Sequence, residues 1–137
     1  PAELAAILDA GAWLLSDRVR TLLGFEASAM RWLKAAHDAS AGGLPVTADM
    51  VIGHVETWPE RIEHLSRLRG LHERSGAVRG LDVRWLDDAG ALPATPPELR
   101  ELVPWPRELR DADLARTVAI ARLALPAAVA VRVVEPD

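Results

Sequence analysis

The chain has 137 residues and a net charge of −4, half of it is hydrophobic and about a quarter charged, so it suits one globular domain with a real core. Its arginines are scattered among carboxylates, Lys34 is its sole lysine, and no basic patch marks a nucleic-acid partner. It contains no cysteine, which excludes disulfides, thiolate nucleophiles, Cys-ligated zinc and Cys-ligated iron–sulfur clusters on this chain.

No apolar run approaches the roughly 18 residues of a membrane span and no signal pattern opens the chain, so a cytoplasmic protein that does not enter a membrane is expected. Pro1 stands first, as expected either of a trimmed initiator Met or of a longer parent.

In chain order, Ala2–Ala10 reads as a short helix ended by Gly11, and Ala12–Leu15 as a brief strand. Ser16–Arg20 reads as a solvated turn, Thr21–Phe25 is ambiguous, and Glu26–Ser40 forms a helix with Met30, Leu33 and His37 on one side. His37 is placed to complement the dipole at that helix's end. Gly42 and Gly43 break it, and they do not form a phosphate loop.

The next stretch organises the rest. Met50-Val51-Ile52 is a β-branched apolar run stopped by Gly53. Thr57 lies three residues before Glu60, the spacing of a capping box, with Pro59 in the first helical turn. Ile62, Leu65, Leu68 and Leu71 then share one face of a helix running from Trp58 to about Arg74. His54 and Glu56 therefore sit where a strand hands over to a helix, the end of parallel strands at which α/β proteins place chemistry. Two apart on an extended chain they point the same way, but a metal needs a third ligand and none is marked, so no metal is assigned. Ser16 and Asp17 have no histidine partner for a hydrolytic triad, and His64 and His72 are about 12 Å apart along one helix, too far to share an ion.

Val78–Leu86 is a further strand, and Asp87–Arg110, rich in proline, reads as a connector with an active-site loop or lid as the alternative. A helix opened by Asp111 or Asp113 runs to Leu125, with Leu114, Val118 and Ala121 on its face, and Ala127–Val134 alternates as the last strand. The alternation counts about four strand–helix units. The fold class is α/β, a single half TIM-type (β/α) barrel of parallel strands.

Gly11-Ala12-Trp13-Leu14-Leu15-Ser16-Asp17-Arg18-Val19-Arg20 resembles the segment after the fourth strand of radical S-adenosylmethionine (SAM) enzymes of menaquinone and deazaflavin biosynthesis. The likeness is greatest to dehypoxanthine futalosine cyclase and aminofutalosine synthase. Gly53-His54-Val55-Glu56-Thr57 with Glu60-Arg61-Ile62-Glu63-His64-Leu65 and Leu68-Arg69 resembles their fifth strand and helix. Ser75-Gly76 falls at their Thr-Gly-Gly turn, and Ala119-Ile120-Ala121-Arg122-Leu123 at their late helix.

The resemblance implies the latter half of a barrel whose strand ends help hold SAM and substrate. Met50 and Ile52 would then lie near the adenine, His54 and Glu56 would face substrate or SAM, and Asp17 and Arg18 would lie on the neighbouring loop. The family's CxxxCxxC motif belongs to the absent half, and its Pro-Trp and Gln-containing stretch is not recognisable around Arg84-Trp85-Leu86. An iron–sulfur cluster would have to come from another chain or from a missing N-terminal half. Trp13 stands where the family has a glutamate expected to contact the cofactor, which counts against SAM binding. No catalytic residue is assigned.

The expected function is thus a partial or degenerate radical SAM-like barrel, not competent alone. The alternative is a stand-alone small-molecule binding or scaffold protein that has lost the radical chemistry. Two open sheet edges and a face lined by Val46, Met50, Ile52, Val129 and Val131 predict a homodimer or a complementing cluster-carrying chain as partner.

Overall fold

A computed structural model describes residues 2–86, 92 and 95–135. The elements run α1 (Ala2–Asp9), α2 (Asp17–Leu22), α3 (Ala29–Ala41), β1 (Val46–Ile52), α4 (Trp58–Ser75), β2 (Val78–Trp85), α5 (Pro97–Arg100), α6 (Arg107–Ala124) and β3 (Ala130–Val133). The sheet is parallel, in the order β1-β2-β3. Each pair of strands is joined through a helix, as parallel pairing demands, and α4 adjoins both α3 and α6, all three lying against the sheet.

Register divides the sheet into two faces. Ala48, Met50 and Ile52 pair with Leu81, Val83 and Trp85, and Leu81 and Val83 pair onward with Val131 and Val133. That apolar face joins Leu65, Leu68 and Leu71 of α4 in one core. The opposite face carries Asp49, Asp82 and Arg132 in a row, with Arg132 clasping the Asp82 carboxylate at 2.7 and 3.1 Å.

Several expectations are corrected. The described sheet has three strands, not four; that it stays open is compatible with the half barrel expected. Ala12–Leu15 is not a strand, because Trp13 adopts φ 50° and breaks the extended run. Ser16–Arg20 is not a turn. Ser16 caps α2 by accepting the Val19 N–H, and the helix buries Val19 and Arg20. The segment Asp87–Arg110 lies partly outside the described residues, but its later part holds α5 and the start of α6, whose N-cap Pro106 supplies no side-chain bond. Met30, read on one side with Leu33, and Ile62, read on one face with Leu65 and Leu68, are 64% and 46% exposed while those leucines are buried.

The apolar face expected to drive association is also covered. Val46, Met50, Ile52, Val129 and Val131 are all buried within the single chain. No described helix is long and apolar enough to cross a membrane.

One edge of the sheet is finished in an unusual way. Beyond β1 lies the Ala12–Leu15 segment, joined to it by a single backbone bond, Val51 N–H to Trp13 O at 2.8 Å. Side chains complete the seam. Asp49 Oδ1 accepts the N–H groups of Ala12 and Trp13 at 2.7 and 3.0 Å. The His64 ring, fully buried, accepts the Leu15 N–H at Nδ1 (2.9 Å), which leaves Nε2–H to donate to Asp49 O (2.9 Å). Burial pushes the His64 pKa down to about 3, so the imidazole is a neutral structural bridge.

Candidate functional site at the strand ends

Gly53 ends β1 with φ +87°, a left-handed conformation that suits glycine. A Cβ there would lie 2.3 Å from Cε2 of Trp85, so the indole seats directly on the glycine backbone. The turn then bends through His54 and Val55 rather than staying extended. Glu56 folds back: its two carboxylate oxygens accept the N–H groups of Gly53 and His54 at 2.9 and 2.8 Å. The extended-strand geometry expected for His54 and Glu56 is therefore replaced by a carboxylate-closed loop, though both side chains still meet, with Nδ1 of His54 3.5 Å from Oε1 of Glu56.

Helix α4 starts immediately after, through the full capping box expected of Thr57 and Glu60. Its first turns deliver Arg61 to the loop. The guanidinium bonds Glu56 at 2.9 Å and Thr117 Oγ1 at 3.2 Å, lies 2.8 Å from Oδ2 of Asp113, and packs over Trp58. The Asp113 contact is an ion contact rather than an aligned hydrogen bond, since that oxygen has no hydrogen-bond partner. Glu56, Arg61 and Asp113 are all buried there, so α6 and the strand-end loop are tied by one shielded charge cluster. Arg61 lies in the segment that carries the resemblance but is given no role there, and Asp113 and Thr117 belong to no motif. The signal that could have found them is their spacing: Arg61 precedes Leu65 and Leu68 on one helical stripe, and Asp113 and Thr117 precede Ala121.

A cavity of about 220 Å³ opens beside this cluster, lined by Gly53, His54, Glu56, Arg61, Trp85 and Trp105, with Leu99, Leu102, Val103 and Pro104 as its outer wall. Trp85 and Trp105 are 5.3 Å apart at their ring centroids. His54 Nε2 bonds Val51 O at 2.6 Å, while its Nδ1 is buried without a hydrogen-bond partner. So His54 and Glu56 share one cavity, and the proline-rich stretch, read as a connector with a lid as its alternative, forms the outer wall.

The other candidate residues lie elsewhere. Met50 and Ile52 are fully buried in the core and do not line the cavity. Asp17 is spent on the start of α3, accepting the Ala29 N–H at 2.9 Å. Arg18 reaches the same turn from outside, donating to Glu60 and to Val55 O. Arg18, together with Ser16 and Thr57, holds Glu60 down to about 2. Among the described residues no group of three metal-ligating side chains is gathered.

No family model matches the chain. Curated relatives do. The chain is 40% identical over 66 residues to a 5-amino-6-(D-ribitylamino)uracil–L-tyrosine 4-hydroxyphenyl transferase of Methanosarcina barkeri, a match covering 47% of this chain and 18% of that protein. It is 38% identical over 76 residues to aminodeoxyfutalosine synthase of Thermus thermophilus, covering 55% and 20%. It is 38% identical over 94 residues to 7,8-didemethyl-8-hydroxy-5-deazariboflavin synthase of Methanopyrus kandleri, covering 69% and 25%. Over about half its length the chain is a relative of these enzymes. The second and third are of the futalosine and deazaflavin kinds that the sequence resembles, the transferase is a further relative, and the matches span 18% to 25% of the relatives' length.

Cofactor chemistry can be tested against the residues present. A thiolate-ligated cluster does not fit this chain, which has no cysteine. SAM gains no carboxylate at position 13: the Trp13 indole is buried and packs on Phe25 at 5.4 Å between centroids.

Proposed function

We propose that the chain forms part of a radical SAM-like (β/α) half barrel related to menaquinone and deazaflavin biosynthesis, not competent in radical chemistry by itself. The observation that carries this reading is the strand-end loop, in which Gly53, His54, Glu56 and Arg61 form a rigid, charge-clamped rim beside a cavity. The similarity to futalosine and deazaflavin enzymes supports the pathway, and β1-α4-β2-α6-β3 supports the half barrel. Any cluster is supplied by another chain or by a further part of a longer polypeptide. The place for such a partner is the outer edge of β3, which pairs only with β2 among the described strands. A homodimer across that edge is the competing arrangement, and a cytoplasmic setting belongs to the same reading.

The test is calorimetry with SAM on the wild-type chain and on Trp13→Glu. Weak or absent binding by the wild type, improved by the glutamate, is expected. Tight binding by the wild type would overturn the lost-site reading. The second reading is a stand-alone binding protein for a small ligand, favoured by the partly exposed Trp105 on the cavity wall. Light scattering separates the two: a strictly monomeric chain that takes up no cluster-carrying partner on co-expression favours it.

A further inference from the structure

A larger cavity of about 520 Å³, walled in part by α1, shares no residue with the strand-end site. Its floor is Arg20, only 2% exposed. Nε of Arg20 donates to Ala27 O at 2.7 Å and Nη1 to Ala12 O at 2.5 Å, while Nη2 has no partner. The guanidinium lies over the Phe25 ring, 4.7 Å from its centroid. Asp17 and Asp49 act on it through space only, their bonded oxygens being engaged by backbone N–H groups of Ala29, Ala12 and Trp13.

A buried cation without a carboxylate in contact is uncommon, since buried charges are ordinarily paired. Here desolvation lowers the pKa to about 10, still charged at neutral pH. The rest of the wall is mixed. Ile7 of α1 and Phe25 are apolar, whereas Arg31 is occupied by Glu3 at 3.5 Å and Glu26 stands exposed at the rim. Nη2 is itself shielded, so an anion reaches it only by displacing part of the wall, of which α1 buries no residue fully.

We infer that the cavity between α1 and Arg20 is a second binding site, for a small organic monocarboxylate whose anion pairs with Nη2 of Arg20 and whose apolar body lies against Ile7 and Phe25. Glu26 opposes a second negative charge and so selects a monoanion over phosphate or a dicarboxylate. The pairing gives the guanidinium the carboxylate partner that the chain does not supply.

The probe is benzoate, followed by thermal shift and by intrinsic tryptophan fluorescence, to which Trp13, packed on Phe25, contributes. Benzoate is expected to raise the melting temperature in proportion to the logarithm of its concentration. Benzyl alcohol, the same body without the charge, should bind roughly tenfold more weakly or worse. Phthalate should bind more weakly than benzoate to the wild type and recover in Glu26→Gln. Arg20→Gln should abolish the effect, but its two backbone bonds make it a folding risk. Ile7→Trp, on a helix that buries no residue, fills the space instead and should abolish benzoate binding in a folded chain. No benzoate effect at millimolar concentration, equal binding of benzyl alcohol, or an Ile7→Trp variant that still binds would each overturn the site.

Discussion

Glu56 and Glu60 leave the same turn four residues apart, and each meets an arginine. Glu56 is buried with Arg61, their side chains 1% and 7% exposed, and the pair is joined by Asp113. Glu60 meets Arg18 at 2.7 Å, but that arginine is 52% exposed. The chemistry is identical and the solvent is not. A shielded pair cannot be broken without stranding a charge in low dielectric, whereas a wet pair exchanges protein for water at little loss. The inner pair therefore holds the strand-end rim to α6, and the outer one only trims the turn.

The sharpest break of that contrast is Arg61→Met, which leaves Glu56 and Asp113 buried without their cation. It should cost about 3–5 kcal/mol in urea unfolding. A loss under about 1 kcal/mol would mean water already reaches the cluster. Next comes the loop that carries Glu56. Gly53→Ala adds backbone strain at φ +87° and drives a methyl into the Trp85 indole, for about 3 kcal/mol in all. Gly43→Ala is its control, because φ is +88° there but nothing lies within 4 Å of the added carbon, so only about 1 kcal/mol of strain is expected. Equal losses at the two glycines would show that Trp85 moves aside freely.

These residues also mark what could be read from the letters. The capping box was legible because Thr57 and Glu60 lie within one turn and answer to local geometry. The β1-α4-β2 order was legible from the change of period. The inward stripe of α4 was only partly so. Leu65, Leu68 and Leu71 are on it, but its other members are Arg61 and His64 rather than Ile62, because partners outside the helix, some 15 to 56 residues away, satisfy those polar groups along with the nearby Glu56. Ala12–Leu15 has strand composition, yet Trp13 at positive φ and the Asp49 and His64 side chains replace most of a ladder there. Of the cavity lining, His54 and Glu56 were legible from their place at a strand end, whereas Trp105 came from a proline-rich stretch with no periodic signal.

His64 sharpens the comparison in a second way, since it is a buried base rather than a buried acid. Its folded pKa, about 3, lies below the ordinary 6.5, so the unfolded chain binds the proton more tightly. The neutral bridge thus contributes fully above pH 6.5, and its contribution falls as pH drops toward 3, by up to about 1.4 kcal/mol per pH unit. Stability measured between pH 7 and 5 should already decline. In His64→Gln that decline should flatten, on a chain less stable throughout because the Leu15 to Asp49 O bridge is weakened. An unchanged slope would assign it to another group.

The smallest effect belongs to the exposed pair. Arg18→Met should cost less than about 1 kcal/mol at neutral pH. Its signature lies in titration rather than in stability. Arg18 is the foremost of the groups holding Glu60 down to about 2, with Ser16 and Thr57 contributing further hydrogen bonds. Carbon-detected NMR should find the Glu60 carboxyl titrating higher in the variant, yet still below its ordinary 4.5, because the hydroxyls and the Thr57 N–H remain. Since a depressed acid contributes stability above its unfolded pKa and loses it as pH falls toward the folded one, the variant should lose less between pH 4.5 and 2 than the wild type. High salt should shrink the difference, as it would for charges facing water. A loss of several kcal/mol from Arg18→Met, insensitive to salt, would place that pair in the same class as Glu56 and Arg61 and erase the distinction between the two sides of the turn.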